Sequence, residues 1–341
     1  MRCFPVNPLP QPRCVLGLLS LLGLLCCGCS TSSFVARQFL RPPRSFPQAV
    51  APQPRVYFSF PQKVTDAIPE QRATVGHPAI TLNYRCIPSG DYGARMILTN
   101  HAAYGRLWPL YAFPAHTATP LLPSRGTVVL LHGYALDHET LVPWALSLAG
   151  HGWTCVLVDL RGHGKSEGDR ITFGIEEAQD LSALMEELQS RGQAHWPVQV
   201  LGVSYGSAVA LRWATQEPRV QGVVAVTPYT ELTTAVEGLR QEYASWLPAR
   251  TLQRATAQVP RLVGVGPRGL DPDQWLREHP VPALFIAAES DPIAPPSGSH
   301  LLASYDSRSH VLELPKISHE IAPFRIDLLL NPVAQWLDGK R

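Results

Sequence analysis

The sequence predicts an α/β fold in which a mostly parallel sheet is covered by helices on both faces. Short runs that are almost entirely apolar recur along the chain, at 127–131, 198–203 and 220–226. Strands buried on both faces have this character. Segments long enough for a helix separate these runs, and strands that alternate with helices form βαβ units. The 341 residues suffice for one large domain of this kind with a tail to spare.

The predicted elements follow one another as a single sheet requires. Three extended runs come first and are predicted to be antiparallel strands at one sheet edge. The predicted strands are 79–86, 95–100, 107–113, 127–131, 153–159, 198–203, 220–226, 283–288 and 310–314. The predicted helices are 139–149, 175–189, 207–214, one that begins near 232, and 326–337. Ligands of such sheets bind beyond the carboxyl ends of the strands, so reactive residues are expected there.

Residues 1–28 predict an export signal. The run 15–25 is apolar apart from Ser20, and it is shorter than the roughly 20 residues that span a bilayer. Its end, Gly28-Cys29-Ser30, resembles the lipobox of bacterial lipoproteins, in which the cysteine carries the lipid. Cys29 is the predicted attachment site, and Cys27 or Cys26 are alternatives. A plain signal peptide or a short anchor is the competing interpretation.

The lipoprotein resemblance implies a location in the bacterial cell envelope. Ser30 is the residue type that outward-sorted lipoproteins carry after the cysteine, which favours the outer membrane over the inner one. The domain would then face the periplasm or the exterior. Residues 29–72 are polar and rich in proline, with no lasting helical or strand period. They predict a tether between the membrane and a domain over 73–341.

The composition points away from several kinds of protein. A net charge of +2 favours neither nucleic acid nor an acidic partner. Downstream of Cys29 only Cys86 and Cys155 remain, and Cys155 lies in a predicted core strand, so neither a disulfide framework nor a zinc site is expected. The glycine-containing stretches at 164–166 and 264–269 lack the context of a phosphate loop or a dinucleotide fingerprint. We therefore expect no cofactor and no metal.

The most informative stretch is Gly202-Val203-Ser204-Tyr205-Gly206. An apolar strand enters it and a helix-favouring run leaves it, which is the context that a G-x-S-x-G nucleophile elbow requires. Such a turn holds the serine hydroxyl exposed above the sheet, and the glycines stand where a β-carbon would collide. A second match at 164–168 lies in a polar loop and is interpreted as a coincidence. Ser204 is therefore the predicted nucleophile.

Two further residues complete a predicted triad. Asp291 follows the strand 283–288, and His319 follows the strand 310–314, so both lie at the same rim as Ser204. A serine needs a base to take its proton, and the base needs an acid to hold its tautomer. Glu289 is the rival acid, but its position near the strand end leaves it less freedom to reach the imidazole.

The oxygen of a tetrahedral intermediate needs hydrogen-bond donors that are fixed in advance. The backbone N–H of Tyr205, at the start of the elbow helix, is one predicted donor. The backbone N–H of Tyr134, in the turn that Gly133 permits after the strand 127–131, is the other.

These residues resemble the α/β-hydrolase superfamily, in particular monoacylglycerol lipases and serine aminopeptidase-like hydrolases. The resemblance rests on Leu130-Leu131-His132-Gly133, Asp159-Leu160-Arg161-Gly162-His163-Gly164-Lys165-Ser166, the elbow, Asp291 and His319. It implies a catalytic triad of Ser204, Asp291 and His319. It also implies that His163 belongs to a structural signature and that the insertion at 228–281 forms a cap over the site.

The expected activity is hydrolysis of carboxylic esters with short or medium acyl chains. Five prolines from 248 to 280 divide the later cap into short pieces, and Trp246 and Trp275 are candidates to line a compact pocket. An aminopeptidase or amidase is the alternative, with Glu231, Glu237 and Glu242 as candidates to hold a substrate amine. A binding protein that keeps the fold without the chemistry is the third possibility. The expected partners are a small ester and, through the lipid, a membrane.

Overall fold

The computed structural model describes residues 28–43, 68–94, 97–103, 106–112, 119–120 and 124–339. The strands in these residues are β1 Gln71–Val75, β2 Ile80–Ile87, β3 Gly90–Asp91, β4 Ile97–Ala103, β5 Arg106–Ala112, β6 Thr119–Pro120, β7 Thr127–Leu131, β8 Thr154–Val158, β9 Val198–Val203, β10 Val220–Val226, β11 Ala283–Ser290 and β12 His310–Ser318. Eight of them form one sheet in the order β1-β2-β8-β7-β9-β10-β11-β12. The pairs from β8 to β12 are parallel, and β1 and β2 are antiparallel.

Helices cover both faces of this sheet. They are α1 Gly28–Phe39, α2 Val142–Gly150, α3 Ile175–Ser190, α4 Tyr205–Gln216, α5 Leu232–Tyr243, α6 Ala249–Thr256, α7 Val259–Val263, α8 Pro272–Glu278, α9 Pro296–Ala303 and α10 Ile326–Leu337, with 3-10 turns at His138–Leu141 and Ala322–Phe324. The predicted fold class, a mostly parallel sheet between helices, is confirmed.

Alternate residues of the central strands pack into two separate hydrophobic cores, one on each face of the sheet. Val129 and Leu131 of β7 pack toward α3 and α4, whereas Val128 and Leu130 pack toward α2 and α10. This alternation follows from the two-residue period of a strand, and it explains why runs buried on both faces are almost entirely apolar. Cys155 of β8 is fully buried, as predicted.

The carboxyl ends of the parallel strands share one edge of the sheet. Leu131 at the end of β7 is level with Gly202 of β9, and Val203 is level with Val226 at the end of β10. Because the strands are in this register, the loops that follow them emerge side by side. The residues that the sequence predicts to be reactive lie on these loops.

The predicted boundaries of β7, β9, β10 and α10 are confirmed to the residue. The predicted edge of the sheet is partly wrong. Strands β4 and β5 pair with each other, with Ile97 opposite Ala112 and Ala103 opposite Arg106, and they form a separate two-stranded sheet. The edge of the main sheet is instead β1, in which Ala73 and Val75 face inward between polar residues. Two inward residues are too few to give a recognisable strand pattern.

The prediction of a tether over 29–72 is wrong at its beginning, where α1 is a docked helix. Ser32, Ala36 and Leu40 recur every four residues and are buried against the cap helices α6 and α7. Gln258 bonds Ser32 and Ser33 at 3.1 and 2.8 Å. Val35 and Phe39 pack beside this stripe and are partly buried. The apolar residues of the helix thus span only two turns, which is a short signal for sequence analysis to detect.

Other N-terminal predictions fall outside the described residues. These are the signal peptide up to residue 27, the side chain of Cys29, and the tether from 44 to 67. Within the described residues, no helix combines the length and the apolar character needed to cross a membrane.

Candidate active site

Ser204 occupies the turn between β9 and α4. Its backbone has φ +51° and ψ −111°, a conformation that is strained for a residue with a side chain. A β-carbon on Gly202 would lie 2.3 Å from the carbonyl oxygen of Gly206, and one on Gly206 would lie 2.2 Å from that of Leu131. The predicted close approach of strand and helix is confirmed. Gly206 also permits the elbow to lie directly against β7.

Ser204, His319 and Asp291 form a continuous chain of hydrogen bonds. Ser204 Oγ lies 2.9 Å from His319 Nε2, and His319 Nδ1 lies 2.7 Å from Asp291 Oδ2. A carboxylate only accepts, so Nδ1 carries the ring proton and Nε2 is free to accept from the serine hydroxyl. The structure thus brings together three residues from the ends of β9, β11 and β12.

Backbone N–H groups hold the Asp291 carboxylate in place, whereas the rival acid, Glu289, bonds a different part of the chain. Asp291 Oδ1 accepts the N–H groups of Ile293 and Ala294 at 2.9 and 2.8 Å, and its side chain has no exposed surface. Glu289 is exposed and accepts the N–H of Lys316 at 2.6 Å. The geometry therefore couples Asp291 to His319 and leaves Glu289 bonded to the bend of β12.

The loop after β7 lies against the elbow. A β-carbon on Gly133 would lie 3.8 Å from Ser204 Cβ, and the rings of Tyr134 and Tyr205 are 6.3 Å apart. Tyr205 is the first residue of α4, so its N–H has no acceptor within the helix. The two residues predicted to donate to an oxyanion are neighbours at the serine.

His132 fixes the peptide that contains the Tyr134 N–H. Its Nδ1 lies 2.8 Å from the carbonyl oxygen of Gly133, and its Nε2 accepts the N–H of Leu160 at 3.0 Å. Burial lowers the pKa of His132 to about 4, so the ring is neutral and Nδ1 donates. In a trans peptide the carbonyl and the N–H point in opposite directions. Binding the Gly133 carbonyl therefore sets the direction of the Tyr134 N–H.

The second G-x-S-x-G match has a structural place in the fold. Ser166 is buried, donates to the carbonyl of Asp159 at 2.6 Å and accepts the N–H of Asn83 at 2.8 Å. It joins the loop after β8 to β2. His163 is also buried, and its ring lies 4.9 Å from that of His132 and 5.4 Å from that of Tyr205. His163 supports the packing beneath the loop that follows β7.

The cap consists of the helices α5 to α8 between β10 and β11. It rests on the loop that carries the acid, because a β-carbon on Gly238 would lie 2.1 Å from the carbonyl oxygen of Pro292. The Tyr243 hydroxyl, at the end of α5, contacts the carboxylate of Glu320, the residue after His319. Burial raises the pKa of Glu320. Sequence analysis missed this contact because it joins segments that are far apart in the chain.

The two cap tryptophans differ in their surroundings. Trp246 lies between α5 and α6 and is 56% exposed. Trp275 of α8 is buried, and its indole N–H donates to the carbonyl of Gly269 at 2.9 Å. Arg212 of α4 lies over its ring, 5.1 Å from the centroid. Trp275 therefore joins the cap to the elbow helix, and Trp246 lies on the outer surface.

The three cap glutamates also differ. Glu231 lies 3.2 Å from Arg268, and Glu237 lies 2.8 Å from Arg240. Glu242 is exposed on α5. Arginine thus already neutralises two of the three carboxylates that could have held a substrate amine.

Among the described residues, one group of three donors has the spacing of a metal site. The ligand atoms of Glu70, His138 and Glu139 lie within 4.8 Å of one another. Arg85 pairs with both glutamates, at 3.2 and 2.5 Å, so its guanidinium already supplies a positive charge there. The group joins β2 to the turn before α2 and lies outside the triad.

Comparisons with known proteins agree with this architecture. A family model described as serine aminopeptidase, S33, matches residues 123–278. An esterase from Pyrococcus furiosus superposes with a TM-score of 0.57 at 16% identity, over 88% of this chain and 96% of the esterase. The chain has the α/β-hydrolase fold.

Two curated relatives show how far the sequence similarity reaches. An uncharacterized protein of Mycobacterium tuberculosis is 28% identical over 200 residues, which is 58% of this chain and 63% of that relative. The match thus spans less than two thirds of that protein. The monoacylglycerol lipase of Mycolicibacterium smegmatis is 25% identical over 260 residues, covering 64% of this chain and 90% of the lipase. The relatives with named activities are hydrolases.

Proposed function

We propose that this protein is a serine hydrolase that cleaves carboxylic esters through an acyl-enzyme on Ser204. The chain of hydrogen bonds from Ser204 through His319 to the buried Asp291, built on a strained turn, carries the proposal. A protein that kept the fold only for binding would not need these three groups aligned. The similarity to a lipase and an esterase supports the same activity.

The geometry accounts for each step of such a reaction. Ser204 Oγ attacks the ester carbonyl while its proton passes to His319 Nε2, and Asp291 stabilises the imidazolium. The N–H groups of Tyr134 and Tyr205 bind the negative oxygen of the tetrahedral intermediate. His319 then protonates the leaving alcohol. Water repeats the sequence on the acyl-enzyme, releasing the acid and restoring Ser204.

A fluorophosphonate probe tests the nucleophile directly. Ser204→Ala should abolish labelling and ester turnover while the protein stays folded. Ser166→Ala is the matched control, because it changes the serine of the second motif. It should keep its labelling but lose about 1–3 kcal/mol of stability, since the Asn83 N–H loses its acceptor. Labelling that survives Ser204→Ala would refute the proposal.

We further propose a preference for short or medium acyl chains. The cap helices after α5 have only 8, 5 and 7 residues, which suits a compact pocket better than a long apolar tunnel. Each buried methylene would add about 0.8 kcal/mol only where a wall exists to receive it. In a p-nitrophenyl ester series from acetate to palmitate, kcat/KM should rise over a few carbons and then fall. A steady rise to palmitate would contradict this preference.

Ester hydrolysis is favoured over amide hydrolysis because Glu231 and Glu237 are paired with arginines. A screen over esters, amides and aminoacyl substrates should therefore give turnover mainly on esters. Peptidase activity that depends on Glu242 would instead assign the protein to the aminopeptidases.

The remaining proposal concerns location: a lipid on Cys29 would hold the protein on a membrane of the bacterial cell envelope, preferably the outer one. The support is the apolar run that ends at Gly28-Cys29-Ser30. Cys29→Ala should release the protein or block its processing and leave the turnover of a soluble ester unchanged. An unmodified N-terminus beyond residue 29, found by mass spectrometry, would contradict lipidation there.

A further inference from the structure

The outer surface of the cap has an unusual distribution of charge. Residues 244–270 contain four arginines and no acidic residue, and residues 28–43 contain two arginines and no acidic residue. The whole chain, by contrast, has 29 basic and 27 acidic residues. The two acid-free segments are brought together by the fold, because α1 packs on α6 and α7.

Three arginines of the cap helices α6 and α7 form what is called the arginine stripe here. Arg250 and Arg254 lie about one turn apart on α6, and Arg261 lies on the adjoining α7. All three are exposed, while Leu252, Ala255 and Val259 between them are buried. The helical segment α6–α7 is therefore amphipathic, with a basic face toward solvent.

Helix α1, which packs on α6 and α7, also has exposed aromatic and basic side chains. Phe34 is 43% exposed, and Arg37 and Arg41 follow it at helical spacing. Within the part of the chain that the structure describes, Arg41 pairs with Asp169 at 3.7 Å, and both side chains are largely exposed. The salt bridges that the structure describes in the cap involve Arg240, Arg268 and Arg277 rather than the stripe.

An exposed aromatic side chain stands beside the stripe. Trp246 precedes Arg250 by four residues and is 56% exposed. Arginines interspersed with exposed tryptophan and phenylalanine are the composition of helices that lie on anionic lipid, where the basic groups meet the headgroups and the aromatic rings enter the boundary. The set of Phe34, Arg37, Trp246, Arg250, Arg254 and Arg261 is called the basic cap surface below.

We propose that the basic cap surface is a docking site for a membrane that contains anionic phospholipid. The position of this surface supports a lipid partner, because Cys29, the predicted lipid attachment site, lies at the start of α1. The same surface lies next to the catalytic rim. The carbonyl of Phe39 accepts from the Tyr134 hydroxyl at 3.4 Å, and that of Leu40 accepts the N–H of Ile171 at 2.8 Å. Docking would place the loop that carries Tyr134 near the lipid surface.

The experiment uses the full chain in vesicles of phosphatidylcholine, with or without phosphatidylglycerol. The acyl chains carry bromine, which quenches a tryptophan that reaches them. The difference between the wild type and Trp246→Phe, measured on the vesicle-bound fraction, isolates the signal of Trp246. We expect quenching of Trp246 in the anionic vesicles at low salt and its loss at high salt, because salt screens exposed charges.

Two triple variants with equal charge change provide the control. Arg250→Gln/Arg254→Gln/Arg261→Gln should lose the quenching, and binding to anionic vesicles should weaken roughly fivefold per arginine. Arg125→Gln/Arg219→Gln/Arg308→Gln removes arginines just before β7, β10 and β12, at the opposite end of the sheet. This control variant should keep the quenching of Trp246. Both variants should hydrolyse a soluble short ester normally, which separates this test from that of the proposed activity.

Three results would overturn the proposal. One is equal quenching of Trp246 in zwitterionic and anionic vesicles. Another is a loss of quenching in the control triple variant as large as that in the cap variant. The third is binding of a soluble polyanion such as heparin at the arginine stripe without any quenching by anionic vesicles, which would assign the surface to a different partner.

Discussion

At the scale of single residues, the surroundings of each carboxylate select the acid of the proposed triad. Asp291 receives two backbone N–H groups on one oxygen and His319 on the other, so its charge is stabilised and its direction is fixed. Glu289 is exposed and bonded to Lys316. Only Asp291 can hold the imidazole in the tautomer that leaves Nε2 ready to accept.

Replacing each acid by its amide tests this selection. Asp291→Asn should lower kcat by roughly four orders of magnitude, because the amide favours the wrong tautomer of His319. Glu289→Gln should change kcat by no more than a few fold. Steady-state kinetics on a soluble p-nitrophenyl ester provides the measurement. A large loss in Glu289→Gln together with a small one in Asp291→Asn would exchange the two roles.

The sequence predicted that Ser204, Asp291 and His319 lie at one rim because each comes at or shortly after the carboxyl end of a predicted parallel strand. Their proximity is then a consequence of register. His132 and the contact of Tyr243 with Glu320 could not be found this way. Both depend on side chains that meet across loops of unrelated sequence, and only the three-dimensional arrangement decides which partners lie within reach.

At the scale of elements, the elbow depends on two backbones that touch. Gly206 lies where a β-carbon would come within 2.2 Å of the Leu131 carbonyl oxygen and 2.6 Å of that of His132. These carbonyls belong to β7 and to the loop that follows it. Neither segment can move away from Gly206 without also moving residues next to Ser204. The cost of a side chain at Gly206 should therefore appear in stability and in catalysis together.

Gly206→Ala should destabilise the protein by about 3 kcal/mol or more and lower kcat, because overpacking against backbone has no easy relief. Gly266→Ala is the control, since a β-carbon there has no neighbour within 4 Å. Its stability and kcat should stay close to those of the wild type. Urea unfolding and ester turnover measure the two effects. A Gly206→Ala protein with normal stability would show that the elbow can move away from β7.

Helix α1 shows where sequence reasoning fails at this scale. The strands and helices of the sheet were predictable because their apolar residues repeat with a clear period. The buried face of α1 combines Ser32 and Ala36 with the partly buried Val35 and Phe39, so its apolar pattern is short and is interrupted by a hydrogen-bonded serine. The composition of such a segment does not distinguish a tether from a docked helix. The surface on which the helix packs has to be known as well.

Ala36→Glu should undock α1, because an unpaired carboxylate is too costly to bury. Hydrogen exchange over 31–40 should accelerate about 100-fold or more while the central sheet stays protected. Gln38→Glu adds the same charge at an exposed position of the same helix and should leave exchange unchanged. Equal exchange in the two variants would mean that α1 does not depend on its buried face.

At the scale of the whole molecule, two buried histidines titrate in opposite directions. Burial lowers the pKa of His132 to about 4. Burial also opposes the charge on His138, but hydrogen bonds to Asp159 and Glu139 outweigh it and raise the pKa of His138 to about 9. His138 Nδ1 lies 2.7 Å from Asp159 Oδ1. The fold thus requires one histidine to be neutral and the other to be charged.

The sign of each contribution follows from comparison with the unfolded chain, where both rings titrate near 6.5. Below that pH the unfolded chain protonates His132 and the folded protein does not, so stability falls as the pH drops toward about 4. A shift of this size amounts to roughly 3 kcal/mol. Above that pH the folded protein keeps the proton on His138 and the unfolded chain releases it, so stability falls again toward pH 9.

Together the two histidines favour a free energy of unfolding that is greatest near pH 6.5, and each contributes a decline on one side of that pH. His138→Gln should lower stability overall but flatten the alkaline decline between pH 6.5 and 9, while the acid decline persists. His132→Gln should flatten the acid decline between pH 6.5 and 4, while the alkaline decline persists. Urea unfolding across this range gives the two slopes. An alkaline decline that survives in His138→Gln would show that the ion pairs of this histidine are not its cause, and would move the assignment to other groups.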